Sequence, residues 1–169
     1  MSMCPDRLEL IALSDMPLVA AGDDLAELIA NALQRSDAQL DDHDVLVVAQ
    51  KIVSKAEGRL VGLGTVVPSE EARRRAGQTG KDPRLVELIL RESVRVVRQT
   101  NSLIITETTT GIVMANSGVD QSNVEAGHAL LLPEDPDRSA ATLRQELPQR
   151  FSRTVGVVVA DLSLIHISE

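Results

Sequence analysis

The 169-residue sequence has almost no aromatic side chains and almost no cysteine. It contains one phenylalanine, Phe151, and neither tryptophan nor tyrosine, so a bound ring cannot stack on a Trp or Tyr platform of the kind that single-stranded nucleic-acid binders use. The single cysteine, Cys4, excludes an internal disulfide and a cysteine-based zinc cluster. These absences favour a reducing, cytoplasmic setting.

Basic charge and long apolar runs are also scarce. The formal net charge is -8 and the pI is about 4.9, whereas a nucleic-acid binder needs a basic face that displaces counterions from phosphates. No window reaches the roughly 20 apolar residues of a membrane span, and residues 1–6 lack the basic and apolar regions of a signal peptide. The composition predicts a soluble, cytoplasmic protein that binds neither nucleic acid nor membrane.

The order of apolar segments predicts a single domain of mixed α/β (α+β) class, with a mixed sheet flanked by helices. The near-continuous β-branched and leucine run over 44–49 is typical of a strand covered on both faces. Apolar residues at helical spacing after Asp23 or Asp24 predict a helix that one of these aspartates caps. Strands are predicted over 8–13, 44–49, 94–97, 103–106, 112–114 and 155–160. Helices are predicted from 25 to 33, after the capping segments 68–71 and 82–83, and from 139 to 151.

Three polar features of the sequence could converge at one site. The polar loop 116–127 contains Asp120, Asp161 follows the last strand, and the pair Lys51 and Lys55 follows the first buried strand. In α/β sheets, ligands gather at the carboxyl ends of strands. Carboxylates are hard ligands that suit Mg²⁺ or Mn²⁺ bound together with nucleotide phosphates.

Each of these residues also has a simpler structural interpretation. Asp120 can close an Asx-turn on its own backbone, Asp161 can cap a helix, and Lys55 can be a solvated lysine. Neither the P-loop nor the dinucleotide-binding glycine fingerprint occurs, so a nucleotide would need a different cradle. Residue types and spacing alone leave both interpretations open.

Three segments carry a specific combination of residues: 44–59 (DVLVVAQKIVSKAEGR), 115–127 (ANSGVDQSNVEAG) and 131–140 (LLPEDPDRSA). Together they resemble the coenzyme F420:L-glutamate ligase family, in order, from about residue 8 to 161. The resemblance implies a GTP-dependent ligase that forms an amide between L-glutamate and a carboxylate of the precursor of the deazaflavin coenzyme F420, through an acyl phosphate. It also implies γ-linked glutamate addition, Mg²⁺ or Mn²⁺, K⁺, a homodimer and a place in F420 biosynthesis.

The resemblance also implies roles for individual residues. Asp120 and Asp161 match the divalent-metal ligands of the family. Asn123 matches a GTP contact, and Lys55 matches a phosphate-facing lysine. The residues that match segments lining the nucleotide are Asp15, Met16, Pro17, Leu18, Gln50 and Lys51. No residue is assigned as a catalytic group.

The sequence departs from the family pattern directly after Asp161. Family members continue with a Thr or Ser metal ligand and a Gly-Arg turn, whereas this chain reads Leu-Ser-Leu-Ile and ends soon after. We therefore expect 1–161 to be the N-terminal portion of the ligase domain and 162–169 to be an atypical tail left by truncation. Two alternatives to the ligase follow: a non-catalytic module that binds GTP and metal, and an assembly half that needs a partner chain.

Overall fold

A computed structural model of the protein describes residues 8–36, 39–122 and 124–161. Within these residues the fold is mixed α/β, as predicted, and its strands are divided among three small sheets. The α-helices are α1 (Leu25–Arg35), α2 (Gln50–Ala56), α3 (Glu70–Thr79), α4 (Pro83–Arg91) and α5 (Pro136–Phe151). The strands are β1 (Val45–Ala49), β2 (Leu60–Gly62), β3 (Ser93–Gln99), β4 (Ile104–Thr108), β5 (Val113–Ala115), β6 (His128–Leu130) and β7 (Gly156–Ala160). None of the described helices has the length and apolar character to cross a membrane.

The strands β1 and β7 form a parallel pair, with Val45 opposite Gly156 and Ala49 opposite Ala160. One face of this pair packs with helices α1, α2 and α5 around a core that contains Val48. On the other face Val45 and Val47 are 59% and 55% exposed. The prediction that this strand is covered on both faces is therefore wrong for the described residues, because no described element packs over its second face.

A second core lies between helices α3 and α4 and two antiparallel sheets. One sheet has the order β3-β4-β5 and the other pairs β2 with β6. The fully buried side chains of Ile89 and Ile104 join the helical layer to the larger sheet. This arrangement places the segment after β5 against α4, where the loop 116–127 begins.

The helix starts agree with the predicted capping residues. Asp24, rather than Asp23, caps α1, and its carboxylate accepts a hydrogen bond from the third residue of the helix (2.9 Å). Ser69 caps α3 and Asp82 caps α4, with Pro83 in the first helical position. These caps satisfy backbone N–H groups that a helix leaves unpaired at its N-terminus, so the local sequence predicts them well.

Two parts of the strand assignment differ from the prediction. Described residues 8–13 form no strand, and Leu8 and Leu10 are 85% and 86% exposed. An alternating apolar pattern becomes a strand only where a neighbouring edge supplies hydrogen-bond partners, and no described strand does so here. Conversely, β2 and β6 have three residues each, which is too short for a periodic signal.

Candidate functional site

The carboxyl ends of β1 and β7 bring two predicted site residues together. Ala49 and Ala160 are partners in the parallel register, so Gln50, the first residue of α2, and Asp161 leave the sheet side by side. Both line a cleft of about 410 Å³. The parallel register thus brings Gln50 and Asp161 together at this sheet edge, and their roles in binding stay predictions.

Lys51 connects helix α2 to the loop that contains Asp120. Its Nζ lies 2.6 Å from Asp120 Oδ2 and donates a hydrogen bond of 2.7 Å to Ser122 Oγ. The side chains of Lys51 and Asp120 are 25% and 19% exposed, and a charge-assisted hydrogen bond with this degree of burial is stronger than an exposed ion pair. Two of the three predicted features, the polar loop with Asp120 and the lysine pair through Lys51, therefore meet directly.

The backbone of Asp120 is fixed by a short antiparallel bridge to Leu130. The Asp120 N–H donates to the Leu130 carbonyl (2.9 Å), and the Leu130 N–H donates to the Asp120 carbonyl (2.8 Å). Leu130 is the last residue of β6, which itself pairs with β2. The carboxylate of Asp120 is thus held at the end of a sheet rather than on a free loop.

A left-handed turn immediately after β5 directs the chain toward this bridge. The φ angle is 51° at Asn116, 52° at Ser117 and 70° at Gly118. Left-handed backbone costs a non-glycine residue roughly 1–2 kcal/mol and persists where surrounding contacts impose it. Here the buried Ser117 supplies those contacts: its N–H donates to Thr106 Oγ1 (2.9 Å) and its hydroxyl donates to the Ile89 carbonyl (2.9 Å).

Asp120 closes the Asx-turn that its loop composition allowed. The Ser122 N–H donates to Asp120 Oδ1 (2.8 Å), and the Ser122 hydroxyl donates to Oδ2 (2.8 Å). Burial raises the pKa of Asp120, but the hydrogen bonds from Lys51 and Ser122 together outweigh it, so this pKa lies below its ordinary value. The Asx-turn is confirmed. The metal-ligand role stays a prediction compatible with it, because Oδ1 accepts only the Ser122 N–H among the described residues and has a second lone pair.

The lowered pKa of Asp120 predicts how its contribution to stability depends on pH. Since the folded-state pKa lies below the unfolded one, ionised Asp120 stabilises the fold above its ordinary pKa, and this stabilisation is lost as the pH falls through the folded-state value. We expect Asp120→Asn to lower the free energy of unfolding at neutral pH and to have a progressively smaller effect as the pH falls below the ordinary value of roughly 3.9.

Urea denaturation of wild type and Asp120→Asn across this pH range measures the effect. The difference between the two proteins is the relevant quantity, because the pKa values of Asp42, Asp82, Glu71 and Glu87 are lowered as well. A difference that stays constant from neutral to acidic pH would contradict the assignment.

Lys55 lies one helical turn after Lys51 on α2 and is half-buried. Among the described residues, no side chain or carbonyl pairs with its ammonium group. Residues four apart share a helix face, so Lys55 adds a second positive charge on the side of α2 that faces Asp120. The phosphate role and the solvated-lysine interpretation both agree with this position.

The segment Asp15–Leu18 lies beside helix α1. Asp15 has a φ of 58°, and its carbonyl accepts a hydrogen bond of 3.1 Å from Arg35. Met16 packs against the core that contains Val48, whereas Leu18 is exposed. No hydrogen bond or ion pair within the described ranges joins this segment to Asp120, and its nucleotide role stays a prediction. Asn123 and the tail 162–169 lie outside the described residues.

The acidic residues that the structure describes do not form a closed metal cage. In the part of the chain that the structure describes, no group of three or more His, Cys, Asp or Glu side chains is placed to hold a metal ion. Mg²⁺ usually keeps several waters and binds through one or two carboxylates plus substrate phosphates. The carboxylate of Asp120, with the hydroxyl of Ser122 beside it, therefore suits a metal ion that is bound jointly with a nucleotide.

Two residues that organise the site were not predicted from the sequence. Ser122 holds Asp120, and the signal for it is the Asp-x-Ser spacing, because an Asx-turn bonds the backbone two residues on. Arg59 donates from Nε to the Leu132 carbonyl (2.8 Å) and pairs with Glu92 (2.7 Å), which ties β2 to the segment after β6. These partners are 73 and 33 residues away in sequence, so no local pattern identifies them.

Comparison with known proteins gives a consistent result over most of the chain. Residues 14–167 match the model of the family described as F420-0:Gamma-glutamyl ligase. The chain is 46% identical over 154 residues to the coenzyme F420:L-glutamate ligase of Methanothermobacter thermautotrophicus. It is 50% identical over 143 residues to the coenzyme F420:L-glutamate ligase of Methanopyrus kandleri. These alignments cover 91% and 85% of this chain but 61% and 55% of the two relatives, so the chain spans less than two thirds of their length.

Proposed function

The chain belongs to the F420-0:gamma-glutamyl ligase family, and on this premise we propose that it carries the nucleotide-phosphate and metal site of a ligase that joins L-glutamate to F420-0. The related archaeal proteins are named coenzyme F420:L-glutamate ligases, which supports the substrates. GTP is proposed as the nucleotide and Mg²⁺ or Mn²⁺ as the metal.

One observation carries the proposal: the contact of Lys51 with Asp120 and Ser122 at the carboxyl end of β1. A ligase that activates a carboxylate with a nucleotide must neutralise charge around the transferring phosphoryl group and hold the carboxylate close to it. Lys51 and Lys55 supply positive charge on one face of α2, and Asp120 supplies a fixed carboxylate for a metal ion. A lysine and a carboxylate that binds metal are among the parts that recur in phosphoryl-transfer sites.

The proposed reaction has two steps, phosphoryl transfer and amide formation. A carboxylate oxygen of F420-0 attacks the γ-phosphorus of GTP, the bond from this phosphorus to the β-phosphate oxygen breaks, and GDP leaves. The amino group of glutamate then attacks the acyl carbon, inorganic phosphate leaves, and the amine proton passes to solvent. Asp120 and Asp161 would hold the divalent metal ion, which would supply positive charge to offset that of the phosphates.

The remaining expectations extend the same proposal. Potassium binding, a homodimer and a cytoplasmic location are proposed from the family resemblance. The Asn123 and Asp15–Leu18 contacts are proposed on the same basis. A second proposed function is a module that binds GTP and metal without turnover, and the chain spans 61% and 55% of the length of the two relatives.

Calorimetric titration of the full 169-residue chain with GTP, in the presence of Mg²⁺ or Mn²⁺, tests the proposal. We expect Asp120→Asn to weaken metal-dependent GTP binding at least tenfold, since an amide oxygen is a much poorer ligand for a hard cation than a carboxylate. The matched control is Asp82→Asn, because Asp82 caps α4 away from the site and asparagine caps a helix equally well.

The outcomes separate the alternatives. Equal GTP binding by wild type, Asp120→Asn and Asp82→Asn would reject the site. Binding that is lost only in Asp120→Asn supports it. An added assay with F420-0 and glutamate then decides between ligase and binding module, since the module binds GTP without forming glutamylated product.

A further inference from the structure

A buried hydroxyl group on the central strand of the larger sheet contacts the turn that precedes Asp120. Thr106 lies in β4, which pairs with β3 on one side and with β5 on the other, and its relative exposure is 0%. Its Oγ1 accepts a hydrogen bond from the Ser117 N–H (2.9 Å) and lies 2.7 Å from Ser117 Oγ. The strand therefore holds the start of the loop 116–127 through polar contacts.

The number of available protons fixes the direction of the hydrogen bonds between the two hydroxyl groups. The Ile89 carbonyl can only accept, so it receives the single hydroxyl proton of Ser117 (2.9 Å). The Thr106 hydroxyl then donates to Ser117 Oγ, and the Met114 carbonyl is a more distant acceptor at 3.5 Å. Thr106 thus accepts from the backbone of Ser117 and donates to its side chain.

The Ile89 carbonyl extends these contacts to helix α4. Ile89 lies in the last turn of α4, where the carbonyls of a helix have no partner within the helix, and the Ser117 hydroxyl supplies that partner. We call Thr106, Ser117 and the Ile89 carbonyl the hydroxyl cluster. The cluster joins β4, α4 and the turn after β5, three parts of the fold that are separate in sequence.

The hydroxyl cluster favours an unusual backbone conformation at Ser117. The φ and ψ angles of this residue are 52° and 26°, a left-handed conformation that is unfavourable for any residue with a Cβ. Without the Thr106 hydroxyl, the Ser117 N–H would lose its acceptor, and a buried donor without an acceptor costs free energy. The turn would then relax toward the common conformations with negative φ. Such a change would redirect the chain only three residues before Asp120.

We propose that Thr106 is a positioning residue for Asp120: its hydroxyl holds Ser117 in the conformation that brings Asp120 to Leu130 and Lys51. Since Thr106 is fully buried, it touches no ligand and acts only through Ser117. The use of this arrangement in nucleotide and metal binding rests on the proposed function. The positioning itself is a property of the chain without ligands.

Amide hydrogen exchange, followed by nuclear magnetic resonance on the full 169-residue chain without ligands, tests the positioning. We expect Thr106→Val to speed exchange of the Asp120 and Leu130 amides, which bond across the bridge, at least tenfold. Valine and threonine are similar in size and both favour strands, so the hydroxyl is the main loss, and one lost buried hydrogen bond corresponds to about tenfold. The Gly156 amide, which bonds the Asp44 carbonyl (2.7 Å) beside the β1–β7 pair, reports any global loss of stability.

Three further variants separate positioning from stability. Thr106→Ser keeps the hydroxyl and removes a buried methyl group, so we expect lower stability but wild-type exchange at the bridge relative to Gly156. Thr108→Val removes a buried hydroxyl from the same face of β4, but Thr108 bonds Thr110 and the Ile112 N–H instead, and bridge exchange is expected to stay unchanged. Should circular dichroism show Thr106→Val unfolded, Ser117→Ala replaces it. That variant removes Ser117 Oγ, keeps its N–H, and is expected to speed bridge exchange about threefold.

Calorimetric titration with GTP and Mg²⁺ adds a second readout. We expect Thr106→Val to weaken GTP binding about tenfold, because a displaced Asp120 no longer meets Lys51. Thr106→Ser is expected to bind GTP as wild type does, although its stability is also reduced. Rescue by serine is the result that a purely structural role of Thr106 would not give.

Faster bridge exchange and weaker GTP binding in Thr106→Val, both restored in Thr106→Ser, support the proposal. Unchanged exchange of the Asp120 and Leu130 amides in Thr106→Val would overturn it. Equal losses of GTP affinity in the valine and serine variants would also overturn it, since reduced stability would then explain both, and so would wild-type GTP binding by Thr106→Val. A wild-type chain that binds no GTP would reject the proposed function, and the exchange rates would still decide whether Thr106 positions Asp120.

Discussion

We expect the replacement of Gly118 with alanine to lower the free energy of unfolding by about 3 kcal/mol, because the cost of a strained backbone adds to that of an overlap with Leu132. Gly118 has a φ of 70°, and left-handed backbone costs a residue with a Cβ roughly 1–2 kcal/mol. The added Cβ would also lie 2.6 Å from Leu132 Cγ and Cδ1 and 2.8 Å from Cδ2. Relieving such an overlap typically costs roughly 1–3 kcal/mol more.

The backbone of Leu132 is anchored, so its half-buried side chain must turn away to relieve the overlap. Its backbone carbonyl accepts a hydrogen bond from Arg59, which is itself paired with Glu92. Displacing Leu132 therefore disturbs the connection between β2 and the segment after β6. It also disturbs the bridge between Asp120 and Leu130, two residues earlier. We expect a loss of stability and a weakened binding site in the same variant.

Urea denaturation measures the effect, with Gly111→Ala as the matched control. Gly111 has a similar φ of 84°, and a Cβ there would have no atom within 4 Å. Alanine at Gly111 thus incurs only the backbone cost of roughly 1–2 kcal/mol. If the two variants lose the same free energy of unfolding, the contact with Leu132 does not contribute to the loss. The left-handed backbone alone would then account for the glycine at position 118.

Replacing Lys51 with methionine changes metal and nucleotide affinity in opposite directions. The Lys51 ammonium lies 2.6 Å from Asp120 Oδ2, so a metal ion that binds this oxygen must compete with it. Removing a charge-assisted hydrogen bond worth about 1.5–3 kcal/mol is expected to tighten binding of Mn²⁺ alone about tenfold. The same change removes a cation from the proposed phosphate site, and GTP affinity at saturating metal is expected to fall about tenfold.

Electron paramagnetic resonance of Mn²⁺ without nucleotide, and calorimetry with GTP, separate the two effects. Lys55→Met is the matched control, because Lys55 lies on the same helix face and has no pairing partner among the described residues. It is expected to weaken GTP binding and to leave Mn²⁺ binding unchanged. A fall in Mn²⁺ affinity in Lys51→Met would show that Lys51 supports the metal site rather than competing for it.

Asp120 illustrates how a structural and a functional interpretation can both apply to one residue. The turn that Ser122 closes on its carboxylate removes the freedom of the side chain, and a metal ligand held in advance loses less entropy when the ion binds. The composition of the loop allowed an Asx-turn at Asp120. The family resemblance implied that Asp120 is a metal ligand. The geometry confirms the first and leaves the second to the binding experiments.

Features that depend on near neighbours could be predicted from the sequence. The helix starts at Asp24, Ser69 and Asp82 were predictable because a capping side chain bonds backbone groups two or three residues away. The positions of β1 and β7 along the chain were predictable from their apolar runs. Family membership followed from three segments whose residues are read in order along the chain.

The packing of the whole chain sets which of these features meet. The contact of Lys51 with Ser122 spans 71 residues and that of Arg59 with Leu132 spans 73, and no periodicity encodes such distances. The same holds for residues 8–13, whose apolar pattern lacks a strand edge, and for the exposed valines of β1. Capping and periodicity are local properties of the backbone, whereas a site requires distant segments to share one place, which only the packing of the whole chain specifies.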